Sequence, residues 1–156
     1  MTEDLKVTCS WGPAIVRKHR GDNTLPPVFA LHGWLDNCAS FEFLAPLLKH
    51  TIYAIDLPGH GHSSHLENGN RYHFVDYVEK TREVIKSLAQ ENYIIIGHSM
   101  GAAIGSLLAA TFPNEVEKLV LIDALGPIVN PPEQSPQNLR EAILNRNKFL
   151  AKKKRP

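Results

Sequence analysis

The strongest constraint on the fold is a short apolar run at residues 93–96 that ends in Gly-His-Ser-Met-Gly at residues 97–101 and continues into a helix-forming segment. A serine at this position predicts a nucleophile elbow, a sharp strand-to-helix turn that holds the serine in a strained backbone conformation. The turn needs small residues two positions before and two positions after the serine, and these are Gly97 and Gly101. Ser99 is therefore the candidate nucleophile.

A second motif, His32-Gly33-Trp34, follows an apolar run at residues 28–31, about 65 residues before the elbow. A developing oxyanion needs two fixed N–H donors, one from the residue after the nucleophile and one from a loop after an earlier strand. We expect these donors to be the backbone N–H groups of Met100 and Trp34. Gly33 would let the backbone approach the reacting carbonyl closely. The motif alone is equally compatible with a tight turn, but its place after a buried strand favours an oxyanion loop.

The order of apolar patterns along the chain predicts an α/β fold. Four short apolar runs suit strands that are buried on both faces of a parallel sheet. They span residues 28–31, 52–56, 93–96 and 119–123. Helical patterns lie between them at residues 41–48, 74–89 and 101–112, and residues 5–11 and 14–19 predict an opening hairpin. This alternation favours right-handed crossovers and a doubly wound, mostly parallel sheet.

A glycine-rich loop at residues 56–63 also begins where a strand ends, at the edge where open α/β sheets place their sites. A phosphate-binding role is disfavoured, because no Lys-Ser/Thr pair follows and the GxGxxG spacing is absent. A tight loop anchored by Asp56 is the favoured interpretation.

Together and in this order, the three motifs resemble the α/β-hydrolase superfamily from its third strand through its sixth. More narrowly, roughly residues 5–150 resemble the serine hydrolase-like proteins. The matching residues are Leu-His-Gly-Trp-Leu-Asp-Asn at 31–37, Ser-Phe at 40–41, Gly-His-Gly at 59–61, Ser-Ser-His at 63–65 and the elbow at 97–101. The resemblance implies a serine hydrolase that acts on an ester, thioester or related acyl substrate without a cofactor or a metal. The site residues it implies are Ser99 as nucleophile, Trp34 and Met100 as oxyanion donors, and Gly33, Gly97 and Gly101 as supporting residues.

The chain departs from this family in its histidines. In α/β-hydrolases the base histidine follows the serine in chain order, whereas the last histidine here is His98. Neighbouring side chains on an elbow diverge, so we expect His98 to be a packing residue and His32 to hold the oxyanion loop. His60, His62 and His65, in and just after the glycine-rich loop, are disfavoured as replacement bases. Asp123 lies at the correct sheet edge for a triad acid, although a structural role in the next turn is the favoured interpretation.

Three classes of function stay open. The first is a serine hydrolase, represented here by a fragment or truncated product. The second is a catalytically inactive hydrolase-like protein that binds a ligand or partner, because a serine without a positioned base is a poor nucleophile. The third is a dinucleotide-binding domain, suggested by the glycine series at 97, 101 and 105 and by Asp123 at the end of the next strand. The third leaves the serine unexplained, and Ala103 stands where its glycine spacing requires glycine.

The C-terminal part predicts a different kind of structure. We expect residues 1–134 to be the N-terminal part of the hydrolase core, truncated after the sixth strand, and residues 135–156 to be the first helix of an incomplete cap. Ser135-Pro136 marks the start of that helix, since proline is favoured at the first helical position. Its apolar stripe is Leu139, Ile143, Leu144 and Leu150, and its basic end is Lys152-Lys153-Lys154-Arg155. The strand at 119–123 would be an exposed sheet edge.

The composition of the chain limits the classes of partner and the cellular location that we expect. A net charge of +1 gives no argument for nucleic acid or a membrane surface as a partner. The partner that the family resemblance implies is a small-molecule acyl substrate. The two cysteines, Cys9 and Cys38, cannot form a multi-bridge framework, and no Cys/His spacing resembles a zinc site. The N-terminus lacks the apolar core of a signal peptide, and no run approaches a membrane span. We expect an intracellular, cytoplasmic protein; a peroxisomal location of full-length family members and the oligomeric state stay open.

Overall fold

The structure of the chain, a computed structural model, describes residues 2–66, 71–89 and 92–153, with side chains through residue 145. Within these ranges six strands form one sheet. They are β1 (Thr2–Cys9), β2 (Gly12–His19), β3 (Val28–Leu31), β4 (Ile52–Ile55), β5 (Tyr93–His98) and β6 (Val116–Ile122). The α-helices in the same ranges are α1 (Phe74–Leu88), α2 (Met100–Thr111) and α3 (Ser135–Lys153).

The strands lie in the order β1-β2-β4-β3-β5-β6. The β1–β2 hairpin is antiparallel, and β2 pairs antiparallel with β4. The strands β4, β3, β5 and β6 run parallel to one another. The predicted α/β fold, with an opening hairpin and a mostly parallel sheet, is confirmed. Because parallel strands end at the same sheet edge, the three sequence motifs meet there.

The predicted helix at residues 41–48 is wrong. Two short 3₁₀ turns, Cys38–Phe41 and Ala45–Leu47, occupy this region instead. The Asn37 side chain accepts a 2.9 Å hydrogen bond from the Ala39 backbone N–H and begins the first turn. Pro46 lies at the start of the second turn, and proline has no N–H to continue an α-helical hydrogen-bond ladder from the first.

The core fills both faces of the central strands. Ile95 packs in the cluster under α1 and α2, whereas its neighbours Ile94 and Ile96 pack in the cluster under the 3₁₀ turns. Under the helices, the Phe29 ring meets the Tyr93 ring edge-on, with centroids 5.4 Å apart. Burial on both faces explains why these strands are continuous apolar runs rather than alternating patterns.

The β6 side of the sheet is much less covered. Within the described ranges β6 pairs with β5 alone and forms the sheet edge, as expected. Leu119 packs on the core, but Val120 and Ile122 are 46% and 40% exposed. All described side chains of α3 are exposed, including Leu139, Ile143 and Leu144, which belong to the predicted apolar stripe. Leu150 and the basic residues at 152–155 lie outside the described side chains.

No helix in the described part of the chain is long and apolar enough to cross a membrane. The same part contains no group of three or more His, Cys, Asp or Glu side chains that could hold a metal ion.

Candidate active site

The strand β5 passes into α2 through one strained residue, Ser99. Its backbone has φ 50° and ψ −111°, a conformation that non-glycine residues rarely adopt. The Ser99 N–H donates to the Ile122 carbonyl at 2.9 Å, so the turn is fixed by the neighbouring strand β6. Such strain costs about 1–3 kcal/mol and persists only where the surroundings determine it. The turn has the geometry that the elbow motif predicts.

Two glycines make the turn possible by close backbone packing. A Cβ on Gly97 would collide with the carbonyl oxygen of Gly101. A Cβ on Gly101 would collide with the carbonyl oxygen of Leu31, at the end of β3. The N-terminus of α2 therefore lies directly against the start of the His32-Gly33-Trp34 loop.

His32 holds that loop in place. Its ring is fully buried, and its Nε2 accepts a 3.0 Å hydrogen bond from the Leu57 N–H. Nδ1 then carries the ring proton and donates to the Gly33 carbonyl at 2.7 Å. Burial lowers the pKa of His32, consistent with a neutral ring. Since both nitrogens are engaged, His32 ties the loop after β3 to the loop after β4 and is not free to act as a base.

Two N–H groups are left available beside Ser99. Met100 is the first residue of α2, where backbone N–H groups have no partner within the helix. Neither this N–H nor that of Trp34 donates to an acceptor among the residues that the structure describes. Gly33 faces the same space, because a Cβ there would lie 3.1 Å from His98 Nδ1 and 3.5 Å from Ser99 Cβ.

Ser99, Met100 and Trp34 border a cleft of about 480 Å³. Its lining includes two polar side chains, Ser99 and Asp123, and is otherwise apolar. The remaining lining residues are Trp34, Phe74, Met100, Ala103, Ala124, Gly126, Pro127 and Ile128. Neither Phe74 nor the segment 124–128 was expected at the site from the sequence; the apolar composition of 124–128, directly after a strand end at the site edge, was the available signal.

Asp123 follows β6 in a left-handed conformation, with φ 63°. Asp123 lines the same cleft as Ser99 and is also the residue at which the chain leaves the sheet. In the described ranges, no hydrogen bond joins the Asp123 carboxylate to a histidine.

No histidine is hydrogen-bonded to the Ser99 hydroxyl within those ranges either. His98 lies beside the Gly33 backbone. His60 is buried, and its ring packs edge-on with Trp34 at a centroid distance of 5.2 Å. Its Nδ1–H donates to the Pro58 carbonyl at 3.0 Å, and its Nε2 is buried without a hydrogen-bond partner among the described residues. This support beneath Trp34 was not expected from the sequence.

The glycine-rich loop is anchored by Asp56, as the favoured interpretation expects. The buried Asp56 carboxylate accepts hydrogen bonds from the backbone N–H groups of Cys38 at 2.7 Å and His62 at 2.8 Å. Gly61 has φ 52°, and a Cβ there would collide with this carboxylate. The loop is thus a rigid support for the site edge.

Comparisons with known proteins agree with the fold. A family model described as alpha/beta hydrolase fold matches residues 26–152. A Drosophila melanogaster protein named probable serine hydrolase is 40% identical over 151 residues, which cover 95% of this chain and 44% of that protein. A human serine hydrolase-like protein is 42% identical over 125 residues, which cover 79% of this chain and 61% of that protein.

A solved structure is also similar. The crystal structure of a hypothetical protein from Pseudomonas aeruginosa PAO1 superposes with a TM-score of 0.85 at 38% identity, covering 98% of this chain and 54% of that one. The chain therefore spans about half the length of the relatives that it matches.

Proposed function

The chain belongs to the α/β-hydrolase family, and on that premise we propose that it carries the nucleophile half of a serine hydrolase acting on an ester, thioester or related acyl substrate. One observation carries the proposal. The strained turn at Ser99 lies in an apolar cleft, next to two backbone N–H groups, of Met100 and Trp34, that have no acceptor among the described residues.

The reaction proposed for this geometry is acyl transfer through serine. The Ser99 Oγ attacks the acyl carbon while its proton passes to a base, and the carbonyl oxygen becomes an oxyanion. The N–H groups of Met100 and Trp34 donate to that oxyanion, and the loss of one such donor costs about 10² to 10³ in turnover. Expulsion of the leaving group gives an acyl-serine, which water then hydrolyses.

The supporting roles follow from packing. Gly97 and Gly101 permit the turn, and Gly33 leaves room between the oxyanion loop and Ser99. Asp123 remains the candidate acid, because it shares the cleft with Ser99. We also propose that α3, at residues 135–153, is the first helix of a cap over the core of residues 1–134, because its described apolar side chains are exposed.

No hydrogen bond among the described residues identifies a base for Ser99. An experiment can therefore provide one from solution: the chain is treated with a fluorophosphonate probe at increasing imidazole concentrations, and the modified residue is located by mass spectrometry. We expect modification at Ser99 that accelerates with imidazole and disappears in Ser99→Ala. Modification that is unaffected by this substitution, or no modification of Ser99 at any imidazole concentration, contradicts the nucleophile assignment.

The second candidate function is a hydrolase-like protein that binds a ligand without turning it over. The lack of a hydrogen bond between Ser99 and any histidine in the described ranges favours it. Saturable binding of an acyl compound by a chain whose Ser99 stays unmodified with imidazole present would support this candidate over the first.

A further inference from the structure

The charge and polarity of the Ser99 cleft point to a narrower class of substrate. We propose that the cleft binds uncharged esters or thioesters of an apolar acyl group, and that Asp123 weakens the binding of acyl groups that carry a negative charge. The inference rests on the proposed function only in assigning the reacting carbonyl to Ser99; the binding preference can be measured without any reaction.

The apolar part of the inference comes from the cleft walls. Trp34, Phe74 and Met100 surround the nucleophile, and Ile128 extends the apolar surface at the mouth, where it is 97% exposed. A volume of about 480 Å³ falls in the usual range of small-molecule sites, about 300 to 1,000 Å³. Each methylene buried against such walls gains about 0.8 kcal/mol, which is a factor of about four in affinity.

The charge selectivity comes from Asp123. It is the one charged side chain among the described residues that line the cleft, and that lining contains no Lys, Arg or His. A carboxylate on the acyl group would lie near the Asp123 carboxylate with no cation to balance either charge. At a separation of about 6 Å in a largely aqueous cleft, this repulsion weakens binding by about threefold. A neutral ester is not subject to it.

Asp123 has a matched variant that removes the charge and preserves the turn. Asparagine, like aspartate, is enriched in the left-handed region that residue 123 occupies at φ 63°. The variant Asp123→Asn therefore separates the charge of this side chain from its role in the backbone. Glu79→Gln removes an exposed acid of α1 outside the cleft lining and serves as the control.

Binding can be followed by the fluorescence of Trp34, which lines the cleft and is 59% exposed. Trp11→Phe removes the other tryptophan, so Trp34 is the single reporter in this background. Hexan-1-ol, octan-1-ol and octanoate are the probes. We expect octanol to bind more tightly than hexanol by about fourfold per methylene. Octanoate should bind about threefold more tightly in Asp123→Asn than in the parent, with octanol unchanged, and Glu79→Gln should match the parent.

Two outcomes would overturn the inference. One is octanoate affinity that does not change in Asp123→Asn while circular dichroism shows a folded variant. The other is alcohol affinity that does not rise with chain length. Failure of the proposed function would give a different result. Octanol would still bind more tightly than hexanol, also in Ser99→Ala, whereas Ser99 in the parent would not react with the fluorophosphonate even with imidazole present.

Discussion

The centre of the sheet and its β6 edge differ in how much of their surface the described residues bury. At the centre, β3 and β5 are buried on both faces, and the turn at Ser99 is closed by glycine contacts with the end of β3. At the edge, much of β6 is exposed, and so are all the described side chains of α3. The described backbone contacts that hold the nucleophile turn thus come from β3, β5 and β6, which precede Asp123. A formed elbow is therefore no evidence that a base is positioned beside it.

The largest expected contrast concerns side-chain burial in the two regions. Ile95→Ala, in the fully buried centre of β5, should lower the free energy of unfolding by about 3 to 4 kcal/mol, because it removes packed methyl groups and leaves a cavity. Ile143→Ala, on the exposed surface of α3, should change it by less than about 0.5 kcal/mol. Urea denaturation of both variants measures the difference. Similar losses in the two variants would show that α3 packs more tightly than its exposure indicates.

Two glycine substitutions compare backbone packing at the closely packed turn and at the open side of the cleft. Gly101→Ala should destabilise the chain by about 2 to 3 kcal/mol, because its Cβ would collide with the Leu31 carbonyl and force the turn apart. Gly126→Ala is the matched control at the cleft mouth, where a Cβ would meet no atom within 4 Å. Thermal unfolding of both variants is the measurement, and a Gly101→Ala protein as stable as Gly126→Ala would refute the close packing of α2 against β3.

The smallest effect is a pH dependence from the centre of the site. Burial lowers the pKa of His32 below its ordinary value of 6.5, so the folded state resists the proton that the unfolded state accepts. The stabilisation is complete above about pH 6.5 and is lost as the pH falls toward the folded-state pKa. Between pH 7 and pH 5, the unfolding free energy of the parent should therefore fall more than that of His32→Gln.

His19, whose pKa is also lowered by burial, is present in both proteins and cancels in that difference. Equal pH slopes for His32→Gln and the parent would mean that His32 is not held neutral.

Sequence reasoning succeeded where a residue's place depends on local chemistry. The glycine spacing at 97–101 predicted the elbow because only small residues fit that turn, and the buried runs at β3 and β5 predicted parallel strands. It failed at residues 41–48, where Asn37 and Pro46 override a helical apolar spacing. The lining of the cleft by Phe74 and Ile128 was not foreseen, since it depends on how α1 and the segment after β6 meet in space.

The central claim is that the described residues form the nucleophile turn but position no base beside it. Its most direct test is the rate at which a fluorophosphonate labels Ser99 in this chain with no imidazole added. In the serine protease subtilisin, loss of the catalytic histidine costs about 10⁶-fold in turnover. We therefore predict labelling of Ser99 that is slower by orders of magnitude than that of a serine hydrolase with a complete triad. Rapid, stoichiometric labelling that Ser99→Ala abolishes would contradict the claim and would show that a residue of this chain acts as the base.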